Sequence, residues 1–428
     1  MKIGFVSMPL SGHLNPMTSL GRTLQSRGHE VVFIGLLDSG PAIRAAGLEF
    51  APYCENEYPS GSIAEIVGSI AKLQGMDALQ HTSRDFSPGL AKAAYDHLPE
   101  KLAETGIDAL VIDAMHFLQF VPISLGIPFV QVWTTLPIDP FGTTPLCYFS
   151  WPHDTTPDAL ARNVEGLKLI GELVSPTLAV IMEYAKKVGL QIDWHDPGST
   201  SSKLAVISQV PKDFDFPGTP WPPQFHYAGP FHSSEGRENV SFPWESLSGG
   251  PLIYASLGTM INNQNHVYRV ILEAVRRFPA VQLVLSVGNN VDFFDLEPIP
   301  TNAIVVRRAP QIEILKRATL CITHAGLNTT LESLANGVPM VAIPITYDQP
   351  GVAARIAYRG VGEFVELQDL SVEHLAYLIN KVLVSPGYRE RARYFQDLIA
   401  ESRGLDVAAD VIERALETSQ GEVGLRSS

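Results

Sequence analysis

The chain has 428 residues, 45% of them hydrophobic and 18% charged, with a formal net charge of −14. That length exceeds one compact core and predicts two domains, while the acidic balance excludes general nucleic-acid binding, which needs a basic face. Three cysteines at no paired or metal-type spacing, Cys54, Cys147 and Cys321, predict reduced thiols in a cytoplasm.

Residues 2–8 read as a buried strand. They lack the length and cleavage pattern of a signal peptide, and no apolar stretch of about 18 residues predicts a membrane span. The loop Pro9-Leu10-Ser11-Gly12-His13-Leu14-Asn15-Pro16 follows; Met17, Leu20, Gly21 and Leu24 then share one helical face, closed by Gly28. Further strands are expected at 31–36, 109–112 and 128–133, and the alternation with helices predicts a parallel sheet. Residues 150–210 look helical. Residues 211–250 are rich in Pro, Gly, Phe and Trp and read as the approach to a second domain. New strands are expected at 252–256, 281–287, 304–306, 320–322 and 338–343. Helical patterns from Val372 and Tyr388 finish the chain, and the polar tail after Ser419 is expected to fray. The implied division is 1–232, a linker at 233–250, and 251–428.

The candidate chemistry gathers at strand ends, the edge where open α/β sheets bind ligands. His13 lies in the loop before a helix start, which disfavours a charged imidazole and suits a neutral base; a loop histidine bonding backbone is the plainer alternative. Asp113 ends an apolar strand, where an N-cap is the plain reading. Ser256-Leu257-Gly258-Thr259 follows the first strand of the second domain, with small residues and hydroxyls suited to a phosphate; Ser286 ends the next strand. The stretch 308–349 reads strand, turn, helix, strand. Its helix, 327–336, stops at Gly337 and is preceded by His324-Ala325-Gly326, so free N–H groups and a His donor would meet an anion. Glu332, further along, could accept from ribose hydroxyls. Asp213-Phe214-Asp215 has the spacing of a metal-diphosphate motif, but sits in a Pro-rich stretch away from a strand end and is rejected as one. Phe117, Trp133, Phe141, Tyr148, Phe149 and Trp151 are candidates for an apolar acceptor pocket and equally for core.

This stretch resembles the nucleotide-sugar signature of family 1 glycosyltransferases, the plant-type UDP-sugar enzymes and bacterial relatives such as carotenoid and macrolide glycosyltransferases. The matching residues are Arg308-Ala309-Pro310-Gln311, His324-Ala325-Gly326-Leu327-Asn328-Thr329, Glu332, Gly337-Val338-Pro339 and Asp348-Gln349. The resemblance implies a two-lobed α/β GT-B fold of Rossmann-like domains, with the last helix packing back on the first. It implies His13, in Gly12-His13-Leu14-Asn15-Pro16, as the base and Asp113 as its partner. Arg308, in place of a stacking Trp, and Gln311 would hold uracil. Ser256, Thr259, Ser286, His324, Gly326, Asn328, Thr329 and Glu332 would bind the rest of the nucleotide. Asp348, Gln349 and Thr134 would touch the sugar. Leu327 replaces a plant Trp, which removes one sugar contact. The implied reaction is inverting transfer of a hexose, foremost glucose from UDP-glucose, to a hydroxyl of an apolar or phenolic small molecule, with no metal or cofactor. Transfer of a TDP-deoxysugar to a macrolide-like scaffold, a non-catalytic activator of the same fold, and an epimerase or phosphorylase are the rival readings.

Overall fold

The computed structural model describes residues 1–428 apart from 115–116, 233–239, 261, 290 and 427–428. Seven strands form the first sheet: β1 (Lys2–Val6), β2 (Glu30–Gly35), β3 (Glu49–Pro52), β4 (Ala109–Asp113), β5 (Phe129–Trp133), β6 (Ala205–Ser208) and β7 (Phe225–Tyr227). Six form the second: β8 (Leu252–Ser256), β9 (Gln282–Ser286), β10 (Ala303–Val306), β11 (Leu320–Thr323), β12 (Met340–Ala342) and β13 (Gly362–Phe364). Their orders are β3-β2-β1-β4-β5-β6-β7 and β10-β9-β8-β11-β12-β13. Every pairing is parallel. Parallel strands covered on both faces read as unbroken apolar runs; β4 and β8 are buried at every position. This is the GT-B arrangement of two Rossmann-like α/β domains.

Several elements differ from expectation. β6 and β7 fall in stretches read as helical and as a linker approach; they are four and three residues long, too short to show a period of two. β3 and β13, equally short, were not foreseen. β12 covers only the middle of 338–343. The expected linker lies partly outside the described residues, at 233–239; residues 240–250 are irregular apart from a short turn, Trp244–Ser246. The last helix, Gly404–Arg426, runs through the tail expected to fray.

That helix crosses to the first lobe. Ala408, Ala409, Ile412 and Leu416 join Ile3, Phe5, Met17 and Leu20 in one buried cluster. Arg27 pairs there with Asp410 at 2.6 Å, Glu413 at 2.9 Å and Asp406 at 3.2 Å. A second seam joins the lobes nearer the cleft. Leu136, Cys147, Val210 and Phe214 from the first share a core with Tyr254, Met340, Val352 and Phe395 from the second. Beside it, Arg355 meets Asp215 at 2.8 Å, both almost fully buried.

Candidate active site

Strand order reverses direction between β1 and β4 in one sheet and between β8 and β11 in the other. Crevices open at such switch points, beyond the carboxyl ends of the strands, and the sequence candidates collect at both.

In the first lobe the helix after β1 spans Ser11–Ser26. His13 therefore stands in its first turn, not in a loop before it, and Pro16 lies inside the helix. The His13 Nδ1 is 2.6 Å from Asp113 Oδ2. A carboxylate only accepts, so Nδ1 carries the proton and Nε2 keeps its lone pair. Asp113 is completely buried and also takes a bond from Ser7 Oγ at 3.3 Å. Thr134, just past β5, sets its Oγ1 2.8 Å from His13 Nδ1 and 3.4 Å from Asp113 Oδ1. Its hydroxyl braces this pair. Burial pushes the His13 pKa down, but the charge and hydrogen bond of Asp113, with the charge of Asp348, outweigh it and leave it raised. The two carboxylates thus act against the helix start, which favours a neutral imidazole.

In the second lobe, β8 leads to Gly258 (φ +78°), whose N–H donates to Ser256 Oγ at 3.2 Å. β11 ends at Thr323, whose Oγ1 accepts from the Ala325 N–H at 3.1 Å and helps hold Ala325 in the left-handed region, φ +64°. The helix Leu327–Ala335 starts at Gly326, and its first intrahelical bond is Thr330 N–H to the Gly326 carbonyl. The N–H groups of Leu327, Asn328 and Thr329 thus have no earlier turn to bond and form an anion-binding end. His324 packs between two glycines: a Cβ at Gly258 would lie 2.6 Å from its Nε2, and one at Gly326 2.4 Å. Burial lowers its pKa to about 4 against a weaker opposing contact from the Ser256 carbonyl, which favours the neutral imidazole as the donor.

Gln311 and Glu332 form a closed network. Gln311 Nε2 donates to Glu332 Oε2 at 2.6 Å and to Thr329 Oγ1 at 3.2 Å, and its Oε1 accepts from Tyr254 at 3.0 Å. The Gln311 side chain is therefore used to aim Glu332. Arg308 is exposed beyond β10. Ser286 Oγ donates to the Arg307 carbonyl at 3.3 Å.

The lobes touch across the site. Thr259 Oγ1 lies 2.7 Å from Ser11 Oγ. Asn328 Nδ2 donates to the Gly12 carbonyl at 2.6 Å, so its side chain bridges the lobes, with its second amide N–H and its backbone N–H left for a phosphate. Asp348 is half-buried, and its desolvation raises its pKa against the weaker pull of the Leu136 N–H and His13. Gln349 Oε1 accepts from the Ile345 and Thr346 N–H groups at 2.9 and 3.0 Å, leaving only its amide nitrogen for a sugar hydroxyl.

A cavity of about 590 Å³ lies between the lobes beside Tyr347 and Pro350, walled by Met76, Leu79, Tyr148, Phe149, Trp151 and Leu367 among others. Three of the six expected acceptor aromatics converge on it. Tyr148 lines it, with Phe149 and Trp151, which stack at 3.9 Å. Phe117 packs against a separate first-lobe core, and Phe141 is exposed. Trp133 ends β5 and is not in the cavity wall. Residues 74–82, which carry no motif, were missed; they bond Gln264, Ile345, Thr346 and Tyr347 of the second lobe. Asp213 and Asp215 are committed elsewhere, Asp213 to Tyr394 and Asp215 to Arg355 and Tyr227. Cys54, Glu57 and His97 have ligand-type atoms within 4.8 Å of one another, but the thiol donates to the Ala93 carbonyl and His97 bonds Glu57. Among the described residues no helix is long and apolar enough to cross a membrane.

The chain is similar to known proteins over almost its whole length. A zeaxanthin glucosyltransferase of Pantoea ananas is 27% identical over 418 residues, covering 97% of this chain and 96% of that protein. A demethyllactenocin mycarosyltransferase of Streptomyces fradiae is 25% identical over 431 residues, covering 97% and 86%. The crystal structure of the glycotransferase of kitacinnamycin superposes with a TM-score of 0.76 at 23% identity, over 97% of this chain and 99% of that one. The profile described as UDP-glucoronosyl and UDP-glucosyl transferase matches residues 191–405, half of the chain and all of the second sheet, and the chain is therefore a glycosyltransferase of that family.

Proposed function

We propose that this enzyme is an inverting, metal-independent glucosyltransferase that moves glucose from UDP-glucose to a hydroxyl of an apolar or aromatic small molecule. The observation that carries the reading is the 2.6 Å contact of His13 Nδ1 with buried Asp113, which leaves Nε2 as the acceptor of a proton. The acceptor O–H gives its proton to Nε2 as its oxygen bonds the anomeric carbon. The bond from that carbon to the diphosphate oxygen breaks on the opposite face, and its electron pair leaves with UDP. Asp113 stabilises the imidazolium that forms. The open N–H groups of the helix Leu327–Ala335 and neutral His324 meet the charge growing on the diphosphate, the kind of electrostatic stabilisation that usually dominates. Glu332, aimed by Gln311, accepts from ribose; Arg308 stacks on uracil, which a planar guanidinium can do. Asp348 and the Gln349 amide nitrogen hold sugar hydroxyls.

The apolar and aromatic wall around Tyr148, Phe149 and Trp151 supports an apolar acceptor, as does the relative named for zeaxanthin. The commitments of Asp213 and Asp215 to Tyr394 and Arg355 support a reaction without a metal. Three free, buried cysteines support a reducing cytoplasm. The test is incubation with UDP-glucose and a panel of phenols, sterols and carotenoids, with products read by mass and anomeric configuration by NMR. A glucoside of inverted configuration is expected. A TDP-deoxysugar giving the higher kcat/KM on the same acceptor would overturn the donor assignment, and retained configuration would overturn the role of His13.

A further inference from the structure

A single chain of amide contacts runs between the two switch points, and its middle member is Gln209. This residue follows β6 and is completely buried. Its Nε2 donates to the Thr134 carbonyl at 2.5 Å and to Asn328 Oδ1 at 3.0 Å. Asn328 Nδ2 in turn donates to the Gly12 carbonyl at 2.6 Å. The direction of the chain is determined. A carbonyl only accepts, so Gly12 orients the Asn328 amide, and Asn328 with Thr134 orients that of Gln209. The Gly12 carbonyl is available for a reason legible in the sequence. In a helix it would accept from the residue four places on, which is Pro16, and proline has no N–H. Pro16 inside the helix Ser11–Ser26 thus frees the carbonyl next to His13 for a side chain of the other lobe.

The arrangement has a cost that a filler residue would not carry. Gln209 Oε1 is buried with no hydrogen-bond partner. An apolar side chain of similar length would occupy the same volume without stranding an acceptor.

We propose that Gln209 is a positioning residue for transfer: it ties the start of the second-lobe helix, through Asn328 and Thr134, to the backbone and side chain that hold His13. The inference rests on the reading of His13 as the base. Gln209 sits one link from His13 on each side, through Thr134, whose Oγ1 is 2.8 Å from Nδ1, and through Asn328, bonded to the residue before it. A diphosphate held at the N–H of Asn328 therefore fixes the lobe spacing at which His13 faces the anomeric carbon.

The test is Gln209→Met, which keeps volume and removes both donors and the stranded acceptor. Its Tm should equal or exceed that of the parent, and UDP affinity by calorimetry should stay within about threefold, since no nucleotide contact is removed. The kcat should fall about tenfold to a hundredfold, the range a slight misplacement of reacting groups produces. The acid limb of the pH–rate profile should also move, because the brace on His13 Nδ1 has shifted. A folded Gln209→Met with kcat within twofold of the parent and an unmoved limb overturns the proposal. So does a kcat loss that only tracks a lower Tm. If that variant does not fold, Asn328→Ala cuts the same chain from the other side, and a kcat within twofold of the parent there overturns it equally. His13→Ala is the control. Full activity in that control removes the base itself, whereas a dead control beside a normal Gln209→Met removes only this inference.

Discussion

His13 takes its reactivity from what surrounds it. Asp113 and Asp348 outweigh burial and raise its pKa, so the rate should climb with pH through a midpoint above the ordinary imidazole value, as the base loses its proton. Asp113→Asn removes the main raising partner and leaves burial in place. Its acid limb should therefore move to lower pH while the plateau falls, measured as kcat/KM between pH 5 and 9; an unmoved limb would mean that another group titrates. His13→Ala should lose about 10²–10⁴-fold in kcat with UDP affinity unchanged by calorimetry. His324 shows the opposite balance. With a pKa near 4 it is neutral throughout the working range, so its contribution to UDP binding should be flat between pH 6 and 8. Its lowered pKa also bears on stability. Below the unfolded value of about 6.5 the unfolded chain takes the proton more readily, so stability is lost as pH falls towards 4, on the order of 3 kcal/mol for this group. Melting curves of His324→Gln should show a shallower loss over that window than the parent.

At the scale of elements, the strand-turn-helix after β11 works because small residues leave room for a large one. Gly326→Ala would push a methyl onto the His324 ring, 2.4 Å from Nε2, and such overpacking costs roughly 1–3 kcal/mol. UDP affinity should fall by about tenfold or more while the first lobe and the His13–Asp113 contact are untouched; calorimetry with UDP and an unchanged pH–rate limb check both halves. Gln311 belongs to the same element pair. Since its amide donates to Glu332, Gln311→Leu and Glu332→Ala should each weaken UDP binding, and the double variant should lose little more than the worse single one. Additive losses would show that Gln311 meets the nucleotide by itself.

Across the whole molecule the lobes are joined at several seams, among them the returning terminal helix and the core around Asp215–Arg355. Both partners of that ion pair are nearly inaccessible, and removing one strands a buried charge at a cost of roughly 3–5 kcal/mol. Asp215→Asn should lower the denaturation midpoint accordingly, read by urea titration. Because Asp215 is engaged there and Asp213 bonds Tyr394, activity should survive dialysis against EDTA; loss restored by Mg²⁺ would return these two carboxylates to the reaction.

The motifs of 308–349, the Gly12-His13 turn and the long apolar strands were determined by the sequence itself, since each depends on neighbours along the chain: a glycine where backbone must approach, an unbroken apolar run where both faces are covered. Asp113 could be suspected from its place at a strand end. Its partner could not be derived that way, because His13 and Asp113 are a hundred residues apart and only the pairing of β1 with β4 brings them together. The same holds for Thr134, expected at the sugar and found on His13, and for Gln311 and Asn328, expected at the nucleotide and found holding Glu332 and Gly12. Short strands such as β6 and β7 carry no period to read. Only the tertiary structure decided how the polar groups pair, because a buried donor or acceptor bonds whichever partner packing places within reach, and sequence order does not record that distance.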